Sequence, residues 1–331
     1  MKHANISLFV PHAGCPNQCS FCNQKTISGS VKELTVEEVK TTLEKAKNDG
    51  LSSKNTEIAF FGGSFTAIDR TYMVSLLEEA KPFVENGYFS GIRISTRPDA
   101  IDSEVLTLLK GYGVTAIELG AQSMNDEVLS SNRRGHTVVD VVKASNLIKD
   151  YGFSLGLQMM TGLYKSTREI DLETAKSIIA LKPDTVRIYP TIVFEDTYLG
   201  ELFKSGDYKP QSLEEAVELT VKLLKMFLDA DIPVIRTGLH TINEEKYLSG
   251  PWHPAFRELC DSRVYLENAK NALNEKGDYI IYVGRGSISK MSGQKRKNIE
   301  ILRELGFNCK VVEDSTLDLF QIKTERVGVC K

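Results

Sequence analysis

The 331-residue chain predicts an α/β fold, a partial (β/α)6-type, TIM-like barrel of parallel strands with a small C-terminal α/β extension. Three observations carry that expectation. Apolar runs of strand length alternate with segments of helical period. Each helical segment is followed by a further strand, which calls for right-handed βαβ crossovers and a parallel sheet. The pace holds through residue 239 and changes after Thr241.

Taken in order, strands are predicted at 5-NISLFV-10, 56-TEIAFFGG-63, 91-GIRIST-96, 114-VTAIELG-120, 152-GFSLGLQMM-160, 184-DTVRIYP-190 and 232-IPVIRTGL-239. The first helix is predicted over 35–50, where Thr35 followed by Glu38 forms a capping-box signature and Gly50 suits the end. Segments 67–84, 102–113, 137–152 and 167–183 repeat the scheme, with apolar residues three and four apart. In such barrels chemistry sits at the C-terminal ends of the strands. The loops after successive strands here carry the cysteines, Gly62–Gly63, Arg97-Pro98, Gln122 and Gln158, so these are expected on one face. Residues 1–240 are read as the barrel and 241–331 as an extension covering its mouth. The extension holds a loop and helix over 250–273, strands at 279–284 and 308–313, a helix over 294–306 and a strand-like stretch at 317–323.

Hydrophobic residues make up 41% and charged residues 26%, which permits a sizeable core. A net charge of −3 gives no overall attraction to a polyanion, so any basic site must be local. No apolar run approaches a membrane span, and the N-terminal apolar piece breaks at Pro11, which reads as a strand and not a signal peptide. A cytoplasmic protein with no membrane contact is the expectation. Six cysteines in a chain of this length, three of them clustered, point to metal in a reducing compartment and not to disulfides.

The cluster is 11-PHAGCPNQCSFCNQK-25, with Cys15, Cys19 and Cys22 spaced C-x3-C-x2-C. Three readings fit thiolates on such a loop. They are free thiols, a closed zinc site completed by His12, or an iron–sulfur cluster. A four-iron cluster wants four ligands, and Cys260, Cys309 and Cys330 have no local spacing to supply the fourth. An iron left open in this way can bind a molecule that is not protein.

The spacing after a first strand, with Phe21 before the last cysteine, resembles the radical S-adenosylmethionine superfamily. The resemblance implies a [4Fe–4S] cluster on Cys15, Cys19 and Cys22, with S-adenosylmethionine on the open iron and His12 a mere loop residue. It implies reductive cleavage to a 5′-deoxyadenosyl radical, oxygen sensitivity, and an electron donor such as flavodoxin or ferredoxin. A Gly-Gly-Glu motif contacts the amino group of the cofactor in that family. This chain has Gly62, Gly63 and Ser64, so a hydroxyl or backbone carbonyl would take the glutamate's part. Gln122 and Arg134, with Arg133 as an alternative, match cofactor contacts in the oxygen-independent coproporphyrinogen oxidase branch. Gln158 stands where that branch has a ribose-binding aspartate, and Ser95 where it has a glutamate.

Residues 188–210, with Arg134-Gly135-His136-Thr137, resemble the radical domain of the Elongator catalytic subunit, which modifies wobble uridines in transfer RNA. No acetyl-coenzyme-A loop is recognisable in 241–331, so no acetyltransferase chemistry is expected. Two substrate classes follow: a tRNA nucleoside, or a small molecule or tetrapyrrole. A zinc or iron–sulfur binding protein is the non-enzyme alternative. The basic stretch 285-RGSISKMSGQKRKN-298 is a candidate RNA contact or a solvated helix start. Trp252 suits a loop anchor or the substrate mouth. His240, Tyr189 and Tyr198 read as structural, and no catalytic side chain is assigned.

Overall fold

The computed structural model describes residues 4–10, 18–22, 33–51, 55–239, 242 and 244–327. His12, Cys15 and His240 lie outside the described residues. The chain divides into two compact units, one of Met1–Gln211, Met226–Arg236 and Thr241–Pro251, the other of Ser212–Lys225, Thr237–His240 and Trp252–Lys331.

The first unit is built on strands β1 (Ala4–Val10), β2 (Thr56–Gly62), β3 (Ile92–Thr96), β4 (Val114–Gln122), β5 (Ser154–Thr161) and β6 (Thr185–Pro190). These lie in sequence order in a seven-stranded sheet that β8 (Val234–Thr237) ends. Every pairing from β1 to β6 is parallel. The architecture is the parallel half-barrel that the alternating pattern predicts, with strand ends moved by a residue or two.

Helices α1 (Val36–Asn48), α2 (Arg70–Glu85), α3 (Ser103–Gly111), α4 (Asp126–Ser131), α5 (Val138–Asp150) and α6 (Arg168–Ala180) form the crossovers. Each starts at a side-chain cap, in turn Thr35, Asp69, Asp102, Asn125, Thr137 and Thr167. A cap satisfies an orphan N–H and stabilises by about 1 kcal/mol, and it defines where each loop must end. The box expected at Thr35 is present, with Glu38 Oε2 accepting from the Thr35 N–H at 2.8 Å.

The two faces of the sheet differ in chemistry. One carries Ile58, Phe60, Ile92, Ile94, Ile117, Leu119, Leu155 and Leu157, all no more than 1% exposed. By strand alternation the other carries Glu57, Arg93, Ser95, Glu118, Gly120, Gln158 and Arg187, brought side by side by register. The apolar face builds the core with the helices, and the polar face is left for ligands and ion pairs.

Several elements escaped the sequence pattern. Strand β7 (Val193–Phe194) pairs antiparallel with β9 (Tyr247–Ser249). Two- and three-residue strands are too short to show a period. Helices α7 (Tyr198–Ser205) and α8 (Leu213–Asp229) follow β7.

The second unit includes α9 (Phe256–Ala272) and a three-stranded sheet ordered β11-β10-β12. Strand β10 (Gly277–Val283) pairs parallel with β11 (Phe307–Glu313) and antiparallel with β12 (Ile322–Arg326). Helices α10 (Ile288–Ser292) and α11 (Lys297–Glu304) join β10 to β11. The strand expected at 317–323 therefore starts later. Gln321 N–H donates to Asp318 O at 3.1 Å and Phe320 takes a left-handed φ of 66°, which closes a turn where alternation suggested a strand. The helix expected over 294–306 is also shorter at its start, because Lys295 and Arg296 adopt left-handed φ values of 50° and 63°. No helix among the described residues is long and apolar enough to cross a membrane.

Candidate functional site

The turn carrying Cys19 and Cys22 is anchored at its middle. Cys22 N–H donates to Cys19 O at 3.1 Å, so the two thiols share one tight turn. Ser20 N–H donates to Asn132 O at 3.0 Å, and Ser20 Oγ donates to Asn132 Oδ1 at 2.6 Å. Ser20 O accepts from Leu199 N–H at 2.7 Å, at the start of α7. Asn132 Nδ2 donates onward to Val128 O and Tyr164 O at 2.7 and 2.9 Å. One asparagine thus ties the cysteine turn to the end of α4 and to the loop after β5. Phe21 is half-buried against Val128, Met160 and Leu163 on one side and the Val193–Leu199 cluster on the other.

Arg134 faces this turn. Its Nη1 donates to Cys19 Sγ at 3.1 Å and its Nη2 to Gly120 O at 2.7 Å. Arg97 Nη2 holds Arg134 O at 2.9 Å and pairs with Asp99. The neighbouring Arg133 goes elsewhere, with its guanidinium 3.4 Å from the centre of the Tyr198 ring. Of the two arginines weighed from sequence, Arg134 is the one that meets the cysteine turn.

Gln122 and Gln158 are brought together by a β-bulge. The register of β4 against β5 shifts between Gly120 and Gln122, and Gln122 takes a left-handed φ of 65°. That conformation is costly for a residue with a Cβ and marks a deliberately bent strand end. Gln158 Nε2 then donates to Gln122 Oε1 at 3.1 Å. A Cβ on Gly120 would stand 2.8 Å from Gln122 Nε2 and 3.3 Å from Arg134 Nη2. Cys19, Arg134, Gly120, Gln122 and Gln158 therefore form one continuous constellation at the C-terminal ends of β4 and β5.

The remaining predicted residues sit on β2 and β3. Gly62 has φ 115°, and a Cβ there would strike Val10 O at 2.5 Å and the Phe9 ring at 2.7 Å. Its bareness thus serves the close approach of β1. Gly63 N–H donates to Val10 O at 2.8 Å, and buried Ser64 precedes a single 3-10 turn. Ser95 is half-buried and lies opposite Glu118 in register. Thr66 Oγ1 and Thr96 Oγ1 lie 2.6 Å apart, which ties the turn after β2 to the end of β3.

Deeper on the polar face is a buried ion network that the sequence reading missed. Arg93 Nε donates to Glu57 Oε2 at 2.8 Å and its Nη1 to Glu118 Oε1 at 3.3 Å. Arg187 Nη2 donates to the same Glu118 Oε1 at 2.7 Å. The signal was present as a lone arginine inside an otherwise strand-like run, Arg93 in 91-GIRIST-96 and Arg187 in 184-DTVRIYP-190. Asn132 and Ser20 gave no such signal, since nothing local distinguishes a buried clasp from a solvated loop.

Two buried titratable groups flank the site. Burial and then Arg134 push the His136 imidazole down to about 4, and its Nε2 lies 3.3 Å from Ala121 O. Burial pushes the Asp171 carboxyl up to about 6, although it accepts from Ser166 Oγ at 2.6 Å and Gly162 N–H at 2.9 Å. Asp171 lines a cleft of about 340 Å³ with Tyr164, Lys165, Arg168, Tyr208 and Lys209.

The residues present suit the groups that the resemblance implies. Soft sulfur ligands match iron–sulfur ligation, and a guanidinium lies 3.1 Å from Cys19 Sγ. Arg134 Nε is buried and has no hydrogen-bond partner among the described residues, which leaves a donor for an anion.

Comparison with known proteins agrees. The family model described as "Radical SAM superfamily" matches residues 9–178, and that described as "Radical_SAM C-terminal domain" matches residues 183–266. A tRNA uridine(34) acetyltransferase of Methanocaldococcus jannaschii is 34% identical over 202 residues, 55% of this chain and 37% of the relative. Elongator complex protein 3 of Homo sapiens is 32% identical over 250 residues, 67% of this chain and 44% of that protein. The chain thus spans less than half the length of either relative. The solved structure of Methanocaldococcus infernus Elp3 with an N-terminal deletion superposes with a TM-score of 0.63 at 24% identity, covering 82% of this chain and 64% of that one. With the family model matching more than half of its length, the chain belongs to the radical S-adenosylmethionine superfamily, enzymes that use a [4Fe–4S] cluster and S-adenosylmethionine.

Proposed function

We propose that this radical S-adenosylmethionine enzyme acts on a nucleoside of transfer RNA, with Cys15, Cys19 and Cys22 as the cluster ligands. When bound, the cluster and S-adenosylmethionine supply a 5′-deoxyadenosyl radical by one-electron cleavage of the sulfonium. The observation that carries the site assignment is the contiguity of Cys19, Arg134, Gln122 and Gln158 at the ends of two adjacent strands. Cys15 joins them by sequence spacing.

The chain's own residues have separable tasks. Ser20 and Asn132 hold the cysteine turn. Arg134 offers a buried Nε to the methionine carboxylate. Gln122 and Gln158, already bonded to each other, present amides to the ribose hydroxyls. Phe21 and its apolar neighbours keep water from the cluster side. Gly63 and Ser64 approach the amino end of the cofactor. A small reductant protein such as a flavodoxin or ferredoxin delivers the electron, and air destroys the cluster.

The substrate class is supported by the names of the relatives, both of which concern transfer RNA or Elongator. The test starts with anaerobic reconstitution, dithionite and S-adenosylmethionine. The wild type is expected to release 5′-deoxyadenosine and Cys19→Ala to release none. Purified protein that carries zinc and no iron sinks the cluster assignment. Transfer RNA is then titrated at rising salt. Binding that weakens steeply with salt supports an RNA substrate, and no binding at low salt overturns it.

A further inference from the structure

We propose that Arg134 sets the reduction potential of the cluster through its contact with the Cys19 sulfur. The inference rests on Cys19 being a cluster ligand. Arg134 Nη1 donates to Cys19 Sγ at 3.1 Å, while Nη2 is fixed on Gly120 O at 2.7 Å. Three features aim the guanidinium at that sulfur. Arg97 grips the Arg134 carbonyl at 2.9 Å. Gly120 leaves the space, since a Cβ would stand 3.3 Å from Nη2. Arg133, with a left-handed φ of 54°, turns the chain so that adjacent arginines diverge, one to the Tyr198 ring and one to the sulfur.

The charge is positioned to act. Among the described residues Arg134 has no carboxylate partner, and its guanidinium carbon lies 5.9 Å from the Phe21 ring centre, on the half-buried side of the turn. Reduction adds one electron to the cluster, and no bond or proton changes hands. A cationic donor on a ligand sulfur stabilises that added negative charge more than it stabilises the oxidised state, and so raises the potential. Hydrogen bonds to sulfur and net charge are among the levers a protein has on such clusters. This role differs from clamping the carboxylate of S-adenosylmethionine, which the free Nε serves from the other edge of the same plane. Arg134 is accordingly a tuning residue as well as a contact for S-adenosylmethionine, and its effect on the potential exists before S-adenosylmethionine is bound.

The test is a redox titration of the reconstituted full chain, followed by electron paramagnetic resonance without S-adenosylmethionine. Arg134→Gln is expected to load the same iron and to lower the midpoint by at least a tenfold change in the reduction equilibrium, about 59 mV for one electron. Arg134→Lys keeps a charge but loses the fork, and should fall between. Gly120→Ala keeps the arginine and crowds its Nη2, which the added methyl would meet at 3.3 Å, so it should shift the midpoint in the same direction by a smaller amount even if Arg134→Gln loads poorly. Midpoints equal to wild type in Arg134→Gln and Gly120→Ala overturn the proposal. So does a shift that appears only after S-adenosylmethionine is added. Full iron loading by Cys19→Ala would instead overturn the ligand assignment on which the proposal rests.

Discussion

Ser20 Oγ donates to Asn132 Oδ1 at 2.6 Å, and neither residue is reached by solvent. They are 112 positions apart in sequence, so this bond joins the cysteine turn to the end of α4 only after the half-barrel has folded. Asn132→Ala strands the Ser20 hydroxyl and the Tyr164 carbonyl, while Val128 O keeps the backbone N–H of residue 132, and it should cost about 2–3 kcal/mol. Ser20→Ala strands only Asn132 Oδ1 and should cost about 1–2 kcal/mol. Urea unfolding measures both. Iron content after reconstitution should fall further in Asn132→Ala than in Ser20→Ala, because it also frees the turn from the loop after β5.

Asp171 and His136 give the fold opposing pH dependences. The folded state raises the Asp171 pKa from 3.8 to about 6. It therefore holds a proton that the unfolded chain releases, and this contribution is full below 3.8 and lost as pH rises through about 6. The folded state lowers the His136 pKa from 6.5 to about 4, so its contribution is present above 6.5 and lost as pH falls through about 4. Each shift corresponds to about 3 kcal/mol. In urea midpoints taken between pH 4.5 and 8, Asp171→Asn should remove a falling component and become more stable relative to wild type as pH rises. His136→Gln should remove a rising component. Parallel profiles for wild type and variants would contradict both pKa shifts.

Gly62→Ala is expected to destabilise by about 3 kcal/mol or more. The added methyl meets a backbone oxygen, Val10 O, at 2.5 Å, and φ 115° is outside the range of L side chains. Neither can be relieved by a rotamer change. The measurement is a denaturation midpoint of the cluster-free protein, where a loss under about 1 kcal/mol would show that the end of β1 yields easily.

Glu118 serves two arginines at once. Glu118→Gln leaves Arg93 with Glu57 and Arg187 without a carboxylate, deep on the polar face. Leaving a buried charge uncompensated costs about 3–5 kcal/mol. The double variant Glu118→Gln with Arg187→Met should recover a large part of that loss, since no unpaired charge then remains. Thermal unfolding of the single and double variants reads the difference.

The sequence by itself determined the order of strands and helices, the parallel sheet and the loop on which three cysteines cluster. Those features are local: 3.6- and 2-residue periods, caps such as Thr35 and Thr167, and a C-x3-C-x2-C spacing are all written within a few residues. It also marked Gln122 and Gln158 as candidates, because strand ends converge on one face of any such barrel, and Arg134 through its resemblance to a known family. Only the tertiary structure decided which of two adjacent arginines meets Cys19, that Gln122 bends β4 to reach Gln158, and that Gly62 yields space to β1. It alone revealed the Ser20–Asn132 clasp and the four-residue ion network, and it moved the start of the strand expected at 317–323 to Ile322. These depend on which side chains become neighbours once distant segments pack and water leaves. A hydrogen bond across 112 positions has no period to betray it. Its strength comes from burial, a property of the folded half-barrel and not of any stretch of chain.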